Sequence, residues 1–227
     1  MNDSPNGGSC APARILITGA AGGVGRECAL AFAKFGADMV LCDYDGCALQ
    51  RIAAQTGALG RFCDVASETS AEIFAADFLA GRPRLDILVN AAGDAYVRSL
   101  GMMRMTRLLM PALRRGGRGS LVANVAPGPG LGAKMGLFAH AGSEAAFARL
   151  SEAIAIDSKG SAVTTATVAR STRIGGDLGQ SAIAISLDRF EPSAVAARIV
   201  ELACDVVPAL DCSWSPANVL RRAGRGR

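Results

Sequence analysis

Short apolar runs alternate with amphipathic stretches along most of the chain. The runs Ile15-Leu16-Ile17, Met39-Val40-Leu41-Cys42, Leu85 to Asn90 and Ser120 to Val125 are near-continuously apolar. Such runs read as strands buried on both faces. Between them, apolar residues recur at helical spacing. The pattern predicts strands at 14–18, 38–43, 61–65, 85–90, 120–125 and 162–168. It predicts helices at 24–35, 46–55, 68–80, about 100–114, 137–157 and 192–203. Pro111 falls in the last turns of the fourth helix, and Pro192 suits the first turn of the sixth. A glycine-rich loop is expected at 128–136, and a loop or short helix at 170–190. Strands alternating with helices imply an α/β fold: a doubly wound parallel sheet in three α/β/α layers.

The first strand leads into Thr18-Gly19-Ala20-Ala21-Gly22-Gly23-Val24-Gly25 and then a helix. Strand, glycine turn and helix in that order build a Rossmann-type dinucleotide site. Glycines let the backbone take positive φ and approach a pyrophosphate. The helix N-terminus supplies free N–H groups and partial positive charge. Asp43 ends the second strand, 24 residues after Gly19. A carboxylate there can accept from ribose hydroxyls and would repel a 2′-phosphate. No Lys or Arg lies in the turn 19–25, so NAD(H) is favoured over NADP(H). The alternative is that Asp43 merely caps the next turn.

A chain of 227 residues supports one sizeable core, and half of it is hydrophobic with 19% charged. The expected organisation is a flexible N-terminal segment at 1–12, a single nucleotide-binding domain at 13–210 and a basic tail at 211–227. No apolar run is long enough to span a bilayer, and the N-terminus has no signal-peptide core. A cytoplasmic protein with no membrane partner is the expectation. The seven cysteines form no CxxC pair, which suits a reducing compartment. With one His in the chain, no metal site is expected. Net charge is +4, and Arg221, Arg222, Arg225 and Arg227 crowd the tail. No interleaved aromatics accompany them, so the tail reads as a solvated end and nucleic acid is not expected as a partner.

Three motifs resemble the short-chain dehydrogenase/reductase family over roughly 12–205. They are the turn Thr18-Gly19 through Gly23 and Gly25, the pair Asp64-Val65, and Asn90-Ala91-Ala92-Gly93. The resemblance implies cofactor contacts from Thr18, Gly19, Gly23, Val24, Gly25, Asp43, Asp64, Val65, Asn90, Ala91 and Gly93. It also implies a catalytic Ser, a Tyr thirteen residues later and a Lys four beyond that. Those positions hold Pro127, His140 and Glu144. Ser143, Ala145 and Ala146 still fit the family's surrounding pattern, and Arg98 aligns with the family's relay Asn.

Proline offers no donor to a carbonyl, and glutamate inverts the charge at the lysine position. The first expectation is therefore an NAD(H)-binding protein without ordinary dehydrogenase activity, serving as sensor, regulator or scaffold. The alternative is an oxidoreductase on a small alcohol or carbonyl in which His140, oriented by Glu144 one turn on, is the acid/base. A non-redox lyase or isomerase is a third possibility. The substrate is unknown. Ala141, Gly142, Ala145, Ala146 and Ala148 give the 137–157 helix a small-residue face, which suggests a homodimer. The segment 94–100 is shorter than the resemblance implies, and a family-like final strand is missing from the C-terminus.

Overall fold

A computed structural model describes residues 12–93, 95–116, 119–126, 137–169, 182–187, 191–207 and 210. Seven strands form one sheet: β1 Arg14–Thr18, β2 Asp38–Asp43, β3 Leu59–Phe62, β4 Ile87–Asn90, β5 Ser120–Val125, β6 Val163–Ala169 and β7 Ala182–Ser186. Among the described residues, six helices flank it: α1 Gly23–Ala33, α2 Gly46–Thr56, α3 Glu68–Gly81, α4 Ala95–Leu113, α5 Leu137–Asp157 and α6 Pro192–Val206. Every neighbouring pair of strands is parallel, in the order β3-β2-β1-β4-β5-β6-β7.

The strand pattern explains the layers. Ile15, Ile17, Met39, Leu41, Ile87 and Val89 point to one face, where they pack with α1, α2 and α6. Leu16, Val40, Cys42, Leu88 and Val122 point to the other, against α3 and α4. Alternate residues thus enter two different cores. A strand buried on both sides must be apolar throughout, as the sequence is. Met102, Ala126 and Phe147 join α4, the end of β5 and α5 in a third, smaller cluster.

The strand order reverses direction between β1 and β4. The crevice beyond the C-terminal ends of such strands is where open α/β sheets take ligands. Register places Thr18 beside both Cys42 and Asn90, and Asn90 beside Asn124. The ends of four strands therefore lie level at the mouth of that crevice.

Three expectations are corrected. The third strand is 59–62 rather than 61–65, because pairing with β2 runs from Val40↔Leu59 to Asp43↔Phe62 and stops. Asp64 and Val65 follow it in a turn. The fourth helix starts at Ala95, so the short segment after Gly93 is itself the first turns of α4. The stretch read as a loop or helix at 170–190 contains β7, whose Ala-Ile-Ala-Ile-Ser run pairs with Thr165 to Ala169. This seventh strand therefore precedes α6. No helix among the described residues is long and apolar enough to cross a membrane.

Candidate nucleotide-binding site

A cleft of about 770 Å³ opens at the ends of β1 to β4. One side is the glycine turn. Gly19 sits at φ 67°, and a Cβ on it would stand 2.6 Å from the Ala92 Cα. Only glycine permits that approach of the turn to the segment after β4. Gly25 is equally constrained from the helix side, because a Cβ there would meet the Gly19 carbonyl oxygen at 2.2 Å. Gly22 and Gly23 differ, since a Cβ on either would meet nothing within 4 Å. Gly23 holds φ 52° at the first turn of α1. Open space in front of a helix N-terminus leaves room for an anion there.

Thr18 organises the opposite side. Its hydroxyl accepts from the Ala91 and Ala92 N–H groups at 3.2 and 3.3 Å and donates to the Val89 carbonyl at 3.4 Å. Asn90, buried below the cleft, donates from Nδ2 to Thr106 Oγ1 at 3.0 Å and to Asn124 Oδ1 at 2.9 Å. Thr18, Asn90 and Gly25 do not line the cleft, so they shape its walls from behind. Gly19, Gly23, Val24, Asp43, Asp64, Val65, Ala91 and Gly93 do line it. Eight of the eleven sequence-derived contacts are thus brought to one surface.

The far end is acidic. Asp43 Oδ2 accepts from the Ala21 N–H and Oδ1 from the Asp45 N–H, each at 3.0 Å. The sequence posed ribose contact and turn capping as alternatives for this residue. The carboxylate does tie the turn, and it also lines the cleft with unused lone pairs. Asp45 caps α2 by accepting from the Ala48 N–H at 2.9 Å. Asp64 Oδ1 accepts from the Ala66 N–H at 2.9 Å. All three acids line the cleft, and no Lys or Arg does so among the described residues.

Several lining residues were missed. Ala21 and Gly22 stand inside the glycine turn and Ala92 inside the Asn90–Gly93 motif, while Tyr44, Asp45, Cys63 and Ala66 lie within two residues of Asp43 or of the Asp64-Val65 pair, so reading each motif whole and slightly wider would have found them. Pro192 carries no such signal. Pro192 begins α6, and only tertiary packing brings it to the cleft. Cys63 lies beside Cys42 on the same face of the sheet. The Cys42 thiol donates to Cys63, which lowers the Cys63 thiol below its ordinary value despite burial, with help from Ser70. The same bond, together with burial, pushes Cys42 well above its ordinary value.

His140 and Glu144 lie in α5, four residues apart and so in adjacent turns. Their side chains, that of Arg98 and all of Pro127 lie outside the described residues. No group of His, Cys, Asp and Glu able to hold a metal occurs among the described residues.

A parallel sheet of this order, with a glycine turn and an acid at the β2 end, defines a Rossmann-type nucleotide-binding domain. The chain belongs to the short chain dehydrogenase family, whose pattern matches residues 13–172. It is 30% identical over 193 residues to the 2-keto-3-deoxy-L-fuconate dehydrogenase of Xanthomonas campestris, covering 77% of this chain and 63% of that one. The chain therefore spans somewhat less than two thirds of that relative's length. A short chain dehydrogenase/reductase from Burkholderia phymatum, solved in complex with NAD, superposes with TM-score 0.68 at 20% identity over 87% of both chains. A metagenomic short-chain oxidoreductase solved in complex with NADP gives TM-score 0.68 at 21% identity, over 86% of this chain and 92% of that one. At those identities the two structures speak for the fold.

Proposed function

We propose that this chain is an NAD(H)-dependent oxidoreductase acting on a small alcohol or carbonyl compound. The observation that carries the cofactor reading is the acidic end of the cleft. A 2′-phosphate placed there would face Asp43, Asp45 and Asp64 with no cation among the described lining residues. The ribose hydroxyls of NAD would find acceptors instead. The glycine turn and the α1 N-terminus suit the pyrophosphate. Val65 and Ala66 offer an apolar wall to the adenine.

When bound, the nicotinamide would donate or accept the hydride. The chain must then hold the group in place and move one proton. His140 is the residue for the proton, because imidazole exchanges one near neutral pH. Glu144, one turn further along α5, orients it. The sequence by itself favoured a protein without turnover. The dehydrogenase relative, matching 77% of this chain, supports turnover instead. Its name makes hydroxylated carbonyl acids and sugars the first substrates to screen.

The second reading, a dinucleotide sensor or regulator without turnover, rests on Pro127. That residue removes the hydroxyl donor the family places beside the substrate carbonyl. One experiment separates the two. NADH affinity is measured by fluorescence, and turnover is screened for wild type and His140→Ala. Turnover in wild type, lost in His140→Ala with NADH affinity unchanged, supports the oxidoreductase. Tight NADH binding with no turnover across the screen supports the sensor. Full activity in His140→Ala removes that residue from the mechanism. A homodimer through the small residues of α5 belongs to the same proposal, and light scattering after size exclusion tests it.

A further inference from the structure

We propose that Arg104 is a positioning residue for the adenosine end of the cleft, acting through the backbone of Val65 and Ala66. This rests on the dinucleotide reading above. Arg104 stands midway along α4. Its Nη1 donates to the Val65 carbonyl at 3.2 Å and to the Ala66 carbonyl at 2.6 Å. Both residues line the cleft, next to Asp64.

The segment needs holding because the sheet does not hold it. β3 is an edge strand, and its ladder with β2 ends at Asp43↔Phe62. One further bond, from the Cys63 N–H to the Asp43 carbonyl at 3.1 Å, continues that line. The chain then turns away towards α3. The bonds from Ala66 N–H to Asp64 Oδ1 and from Asp64 N–H to Ser70 Oγ give the turn its shape. The second ties the turn to Ser70 at the start of α3, but neither fixes it to α4. The buried Val65 side chain and the Arg104 guanidinium do that.

The fit around the clamp is close. Gly101, one turn before Arg104, lets α4 approach. A Cβ there would stand 2.6 Å from Val65 Cγ2. Arg107, one turn after, reaches Glu68 at 3.7 Å, but both side chains are 61% exposed. A pair so exposed adds little. The guanidinium of Arg104 makes charge-assisted bonds to two carbonyls of the wall itself. Without it the wall that carries Asp64 and Val65 is free to shift, and adenosine ligands lose their fit.

The test uses the full chain and two probes, AMP by calorimetry and NADH by fluorescence. Wild type, Arg104→Ala, Arg104→Lys and Arg107→Ala are compared, with a thermal melt of each. Arg104→Ala is expected to raise both dissociation constants by the same factor, about tenfold, the size of one lost charge-assisted bond. Arg104→Lys recovers part of the affinity, because an ammonium can reach one carbonyl. Arg107→Ala binds as wild type. If Arg104→Ala does not fold, the lysine variant decides the matter: weaker AMP binding at an unchanged melting temperature supports the clamp. Wild-type affinity in whichever Arg104 variant folds overturns it, as does a loss confined to NADH. A wild type that binds neither AMP nor NADH overturns the dinucleotide reading and the clamp together.

Discussion

The carboxylate of Asp43 holds the backbone N–H of Ala21 at 3.0 Å, joining the end of β2 to the glycine turn 22 residues earlier. The acid expected to meet the ribose is therefore also a strut of the turn expected to meet the pyrophosphate. The two ends of the cleft are mechanically linked through one side chain.

Removing that side chain should damage both ends. Asp43→Ala leaves the Ala21 and Asp45 N–H groups without their acceptor. The expected cost is about 2 kcal/mol, as for a part-buried donor left unpaired. In a domain of this size that lowers Tm by roughly 4–8 °C. NADH affinity falls, and NADPH affinity does not rise to replace it, because the turn itself is loosened. Urea unfolding and paired NADH and NADPH titrations check both parts.

Thr18→Val should separate wall from ligand. Valine keeps the shape but removes the acceptor for Ala91 and Ala92. Stability should drop by about 1–3 kcal/mol. NADH binding should weaken although Thr18 lies behind the cleft. Thr18→Ser keeps the hydroxyl and should restore both in large part. The measurements are a chemical melt and an NADH titration of each variant.

The glycines should divide by what stands in front of them. Gly25→Ala drives a methyl against the Gly19 carbonyl, and the overpacking should cost about 1–3 kcal/mol. Gly22→Ala meets nothing within 4 Å, and its φ of −157° is ordinary extended backbone. Its stability should stay within about 0.5 kcal/mol of wild type. Its NADH affinity should fall, since the methyl would occupy cleft space. Equal stability loss in both variants would contradict this division.

The buried thiols should differ in reactivity. The bond from Cys42 favours the Cys63 thiolate, so Cys63 ionises at lower pH than an ordinary thiol. Cys28 is raised out of the ordinary thiol range by burial and by Glu27, and Cys42 is raised as well. The rate of alkylation depends on the thiolate fraction. As pH is raised, Cys63 should therefore be alkylated before Cys42 and Cys28. Bound NADH should slow labelling of Cys63, because that residue lines the cleft. Peptide mapping after timed alkylation at several pH values reads the order.

Most of the fold was legible because strands buried on both faces leave no ambiguity of pattern. β1, β2 and β5 start and end at the residues their apolar runs lead one to expect, 14–18, 38–43 and 120–125. β3 was misplaced because it is an edge strand, with Leu59 and Phe62 exposed, so burial does not mark it. β7 was missed because alternating alanines give a weak apolar signal. Its strand state comes from pairing with β6. The recognised motifs of the cleft were legible for a similar reason, since each is a local sequence whose glycines or acids serve the turn it occupies. Pro192 and Arg104 were not legible. Each reaches the site only through the packing of a distant helix, and neither breaks a local rule that would draw notice.

The measurement that bears most directly on the central claim is a paired titration of the full chain with NADH and NADPH, followed by fluorescence. The acidic end formed by Asp43, Asp45 and Asp64 predicts saturable NADH binding, with NADPH weaker by about tenfold or more, as a repelled and unpaired phosphate would give. NADPH binding as tightly as NADH, or tighter, would contradict the account.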